Sequence, residues 1–173
     1  PNTTEYAKQV TARRKVTGPQ DDMNRIYAVE DTFSLTGSFA DHRLRLKASQ
    51  IEDFTYALAS ALSSRIDGLD DFRSVSNSMS DHPWITVLAD ELASSAGRNA
   101  VSAGMQHNEN VHAAVAAMNL ALGNVGSTVQ YLDAPQLDDQ NNTEAFADAV
   151  TAMRSGEVDT VVMVGTNPAL TAP

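Results

Sequence analysis

Three short stretches of this 173-residue sequence have the residue types of ligand-holding loops: Gly104-Met105-Gln106-His107-Asn108, Asp133-Ala134-Pro135 and Gly165-Thr166-Asn167-Pro168. Gly165 lets a backbone come close to a bound group, Asn167 offers an amide, and Pro168 fixes the exit of its turn. The 104–108 stretch leads into a helical pattern, and a helix N-terminus favours anions through its free amides and its dipole. Asp133 ends an apolar run, where an acidic side chain often takes ribose hydroxyls, although it stands further on than the roughly 20 residues of the dinucleotide-binding pattern. The GxGxxG sequence of that pattern is absent. Together the stretches suggest a nucleotide-like ligand; the alternative is an empty domain of the same topology.

Other chemistry finds less support. Without cysteine the chain has no disulfide, thiolate metal site or cysteine nucleophile of its own. His107 and His112 on one helix would stand roughly 140° apart, and His42 and His82 sit beside Asp41 and Asp81 only in sequence, so no metal site is expected. No GxSxG serine elbow occurs, and no catalytic residue is assigned.

The elements that would position these loops alternate along the chain. Residues 1–22 are polar and read as an extended tail or strap, and 23–173 as one main domain. Ile26 to Val29 form a short strand, Thr32 to Ser38 carry turn residues, and Leu44 and Leu46 alternate with Arg43, Arg45 and Lys47 in a brief exposed extended piece. Ile51, Phe54, Leu58, Leu62 and Ile66 recur at helical spacing after Ser49 as N-cap. A second helix starts near Ser80 or Asp81, has Pro83 in its first turn, and buries Trp84, Val87, Leu88 and Leu92. Beyond it, strands at 99–103, 128–132 and 160–164 interleave with helices at 108–122 and 143–154. That alternation predicts an α/β fold, three-layer and Rossmann-like, with a mostly parallel sheet covered by helices on both faces. In such a sheet the three loops converge on one edge, gathering Met105, Ala134 and Thr166.

Composition narrows the partners. At 42% hydrophobic and 20% charged the chain supports a buried core. A formal net charge of −10 and a pI near 4.6 argue against a nucleic-acid partner, and Arg13-Arg14-Lys15 reads as a solvated run. The longest apolar stretches are too short to span a bilayer, and no secretory leader opens the chain. Pro1 in place of methionine, and an end soon after Gly165, suggest a piece of a longer protein.

Several segments, in order, carry a family resemblance: Asn24 to Glu30, Leu35 to Leu44, Val101 to Gly104, Leu122-Gly123-Asn124-Val125-Gly126, and Val164 to Pro168. They resemble the molybdopterin oxidoreductase-like subunit of alternative complex III, a bacterial quinol-oxidising respiratory complex whose large subunit fuses that domain to an iron-sulfur domain. Ala40-Asp41-His42-Arg43-Leu44 is the most specific part; the Leu-Gly-Asn-Val-Gly and Gly-Thr-Asn-Pro stretches are shared with catalytic molybdopterin oxidoreductases. From those relatives the resemblance carries a role in binding a pterin guanine dinucleotide to Gly104, Gln106, His107, Gly165, Thr166, Asn167 and Pro168. Asp133 joins them only by strand position. The sequence departs from the catalytic branch in three ways. No cluster cysteines precede the domain, no molybdenum ligand can be named, and Arg45 replaces a usual proline.

The resemblance implies a non-catalytic scaffold within a respiratory quinol-oxidising complex, on the periplasmic face of the bacterial inner membrane. Its partners would be the iron-sulfur domain of its parent chain and other subunits, with no nucleic acid and no membrane span of its own. No cofactor is expected in the fragment. Two alternatives stand: a molybdopterin guanine dinucleotide-binding domain of a catalytic enzyme, and a protein-interaction module without a ligand.

Overall fold

The computed structural model describes residues 3–132 and 142–171, the side chains at 3, 6, 142 and 171 excepted. The chain divides into two compact units, Pro1–Tyr131 and Leu132–Pro173.

In the first unit the core is helical. Helix α3 (Ala48–Ser63) lies at its centre, and the spacing of Ile51, Phe54, Leu58 and Leu62 buries all four. Its start is set by Gln50, whose Oε1 accepts the Lys47 N–H at 3.1 Å, two residues earlier than Ser49 capping would give. Helix α4 (Pro83–Ser94) begins with proline at a position where a missing N–H costs nothing, and His82 Nδ1 accepts the Trp84 N–H at 3.3 Å. It buries Ile85, Leu88 and Ala89, half-buries Trp84 and Leu92, and leaves the expected core residue Val87 exposed. Helix α5 (Glu109–Ala121) is capped by Asn108, whose Oδ1 accepts the Val111 N–H at 3.1 Å, and packs Met118 and Leu122 against α3.

Before this core come α1 (Thr3–Ala12), β1 (Tyr27–Glu30), α2 (Leu35–Phe39) and β2 (His42–Arg45). Helix α2 stands where turn residues were expected, because Ser34 caps it by accepting the Gly37 N–H at 3.0 Å. The piece around Leu44 is extended as expected, but it is paired and Leu46 is buried. Strands β1 and β2 are parallel, with Tyr27 opposite His42 and Glu30 opposite Arg45, and this is the one sheet among the described residues.

The expected three-layer Rossmann-like sandwich is therefore incorrect: the chain is about 47% helical with a two-stranded sheet. Local hydrogen bonds explain why two expected strands do not pair. At 99–103 the peptide groups of Val101 are taken by one residue, Asn119, whose Oδ1 accepts the Val101 N–H at 3.0 Å and whose Nδ2 donates to the Val101 carbonyl at 2.7 Å. A helix side chain thus occupies the place of a neighbouring strand. At 124–129 the carbonyl of Asn124 accepts amides from Ser127, Thr128 and Val129 at 2.9–3.0 Å, winding the chain into a turn with one isolated bridge, Val125 to Val129. Asn124, fully buried, also donates to Asn99 at 2.8 Å and to Asn119 at 3.0 Å; its own Oδ1 has no partner among the described residues.

In the second unit, α6 (Asn142–Ser155) matches the helix expected at 143–154, and α7 (Pro168–Thr171) follows. The stretch 160–164, expected as a buried strand, is unpaired among the described residues: Val162 is 82% and Val164 85% exposed.

Candidate functional site

In the first unit a groove of about 690 Å³ lies between β1 and the 98–104 segment. Its floor is apolar because it is the outer side of the core, formed by Phe54, Leu58, Leu88 and Met118 from three helices. Tyr27 and Val29 form one wall, and Ala100 and Ser102 belong to the other. At the rim, Arg25 pairs with Glu91, whereas exposed Arg13 and Arg98 have no ion pair among the described residues. Asp22 is the further carboxylate there, and its Oδ1 accepts the Met23 N–H at 2.9 Å.

Beside the groove, two charged clusters tie the strands down. Asp41 accepts both Arg14 amino groups at 2.9 and 2.7 Å and the Ile26 N–H at 2.8 Å. The Arg14 bonds first, and then the Ile26 amide, hold this carboxyl far below the usual carboxylate range. Glu30 accepts the Ser34 hydroxyl at 2.5 Å and Arg43 Nε at 2.6 Å, and those bonds, the serine's foremost, lower it too. Asp21 is lowered chiefly by Thr17, through its hydroxyl and its amide. All three move toward permanent charge, the opposite of what a carboxylic general acid or base at neutral pH needs.

The expected site residues fall in different places. Gly104 and half-buried His107 line one end of the groove, with Gln106 Nε2 at 3.4 Å from His107 Nε2. A Cβ placed on Gly104 would meet the side-chain amide of exposed Gln106, the far end of a flexible side chain lying over the open side of the glycine. Gly165, Thr166, Asn167 and Pro168 belong to the second unit, where Asn167 precedes α7 and its carbonyl accepts the Leu170 N–H at 3.0 Å. Asp133, with Ala134 and Pro135, lies outside the described residues. The shared rim was inferred from parallel strands before each loop, and neither 99–103 nor 160–164 is a strand.

The histidines serve structure where they are engaged. His42 stacks on Tyr27 at 4.7 Å between ring centroids, and His82 caps α4. Among the described residues no group of three or more metal-ligating side chains converges, and no helix is long and apolar enough to cross a membrane.

Sequence reasoning missed the groove, Arg98 and the two buried asparagines. One signal was available: Asn119 lies on the apolar stripe of Val111, Val115, Met118 and Leu122, and a polar residue on a core-facing stripe implies a buried hydrogen-bonding duty. No family model matches the chain, and no curated protein matches it.

Proposed function

We propose that this chain is a piece of a molybdopterin oxidoreductase-like subunit of a quinol-oxidising respiratory complex, acting as a scaffold for electron-transfer partners and not as a catalyst. The reading rests on the ordered resemblance of five segments, Ala40-Asp41-His42-Arg43-Leu44 above all. One structural observation supports the scaffold role in particular: several polar residues of those segments are spent on internal bonds. Asp41 is bound to Arg14 and to the Ile26 amide, Arg43 to Glu30, and Asn124 to Asn99 and Asn119. A side chain committed in this way builds a surface and leaves the reaction to a cofactor or to another subunit.

In the same reading the parent protein works at the periplasmic face of the inner membrane, beside an iron-sulfur domain. The test is turnover of the purified chain with a quinol analogue and an artificial electron acceptor. The expected rate equals the protein-free blank, and a rate above it refutes the scaffold reading. The catalytic-branch alternative instead requires GDP to bind, and calorimetry with GDP separates the two.

A further inference from the structure

The groove has the features of a vacant strand position. Parallel pairing directs the peptide groups of alternate residues to the same neighbour. The Ile26 carbonyl accepts the His42 N–H at 3.2 Å and the Glu30 carbonyl accepts the Leu46 N–H at 3.1 Å, so residues 26, 28 and 30 face β2. Tyr27 and Val29 therefore turn their N–H and C=O groups to the opposite edge, along the groove they line. On the facing wall Asn119 holds Val101 and the Thr128 hydroxyl bonds the Asn99 carbonyl, while the peptide groups of exposed Ala100 and Ser102 have no partner among the described residues. Polar backbone on both walls above an apolar floor is the environment of a strand with peptide groups at its sides and a side chain pointing down.

We propose that the groove binds an extended segment of a partner protein, which adds to the free edge of β1 as a third strand. The segment is apolar and β-branched over four or five residues, with a carboxylate at one end. Its apolar side chains meet Phe54, Leu58 and Leu88. Its carboxylate meets Arg13 and Arg98, two cations without an ion pair among the described residues, against the single further carboxylate of Asp22, in a molecule whose net charge is −10. This inference is independent of the respiratory reading, since it uses only the edge, the floor and the rim.

The probe is a synthetic peptide with the sequence of residues 157–165, Glu-Val-Asp-Thr-Val-Val-Met-Val-Gly, added to the whole chain and followed by amide hydrogen exchange. At saturation, exchange at Tyr27 and Val29 slows by about tenfold or more, as for newly bonded amides, and Ala28 is unchanged. The same peptide with Val162→Pro loses a donor and binds about tenfold more weakly. In the chain, Val29→Pro removes one edge donor while sparing the β2 ladder and weakens the peptide similarly. Arg98→Glu weakens it without touching the edge, and low salt accentuates the difference. Unchanged exchange at Tyr27 and Val29 at saturating peptide overturns the proposal, as does equal binding of the proline peptide. Displacement of the peptide by GDP also overturns it, because the groove would then be a nucleotide cleft.

Discussion

Replacing Asn119 by alanine tests the claim that one helix side chain stands in for a missing strand. Asn119 is 2% exposed and makes four hydrogen bonds, to the N–H and C=O of Val101, to the Val115 carbonyl at 3.1 Å and to Asn124. The Val115 carbonyl keeps its place in the helix ladder and Asn124 keeps Asn99, so two groups at Val101 lose their partner. A stranded buried donor or acceptor costs about 1–3 kcal/mol, and because Val101 is only half-buried the two fall in the lower half of that range, about 1.5 kcal/mol each, for about 3 kcal/mol together. For a unit of this size that is about 12 °C in melting temperature. Urea unfolding followed by the fluorescence of Trp84, the single tryptophan, reads the loss directly. Asn119→Leu, which restores bulk but no hydrogen bond, falls by a similar amount. A loss below about 1 kcal/mol in both variants refutes the argument, because water or a backbone shift would then be satisfying Val101. Asn119→Asp puts an acceptor where Nδ2 faced the Val101 and Val115 carbonyls. Its folded pKa is therefore raised, and its stability is greatest below the ordinary carboxylate range and declines as pH climbs through the folded value.

Two further outcomes follow from the clusters and turns. Because the folded Asp41 carboxyl is held below its unfolded value, its contribution is complete above the ordinary carboxylate range and disappears only as pH falls through the lower folded value. The Ile26 amide accordingly stays protected from exchange down past pH of about 4, and Asp41→Asn weakens that protection at neutral pH; loss of wild-type protection near pH 4 contradicts the assignment. Gly97 has φ of 73°, donates to the Leu122 carbonyl at 2.8 Å, and has room for a Cβ, whose nearest atom would be the Gly123 carbonyl oxygen at 3.7 Å. Gly97→Ala therefore costs about 1–2 kcal/mol from backbone strain alone and Gly97→Asn less, and equal urea midpoints for the two variants would remove that explanation.

Helices were legible in the sequence wherever apolar spacing carried the information. The stripe from Ile51 to Leu62 and the run Val111, Val115, Met118 and Leu122 each pack as their period implies. Proline at 83 and asparagine at 108 mark helix starts to within a residue or so. The strand at Ile26 to Val29 and the extended piece around Leu44 were legible too, as β1 and β2, but the later strands were not. A run such as Val161 to Val164 satisfies a strand pattern by composition, yet a strand exists only if another backbone lies alongside, and single-sequence periodicity holds no information about the neighbour. At 99–103 the neighbour is a side chain, which no alternation pattern encodes. Of the candidate site, Gly104 and His107 were found from residue type, whereas Arg13, Arg98 and the β1 edge are brought together by packing of distant parts of the chain.

Val161, Val162, Met163 and Val164 form a run of four apolar side chains, each at least half exposed. Uncharged, β-branched runs without proline are the material of intermolecular cross-β stacking. At neutral pH the molecular charge of −10 keeps copies apart, but near the isoelectric point of about 4.6 that repulsion vanishes while the sticky run stays uncovered. In mild acid this short run therefore favours clumping between folded molecules, with no prior unfolding needed to uncover it.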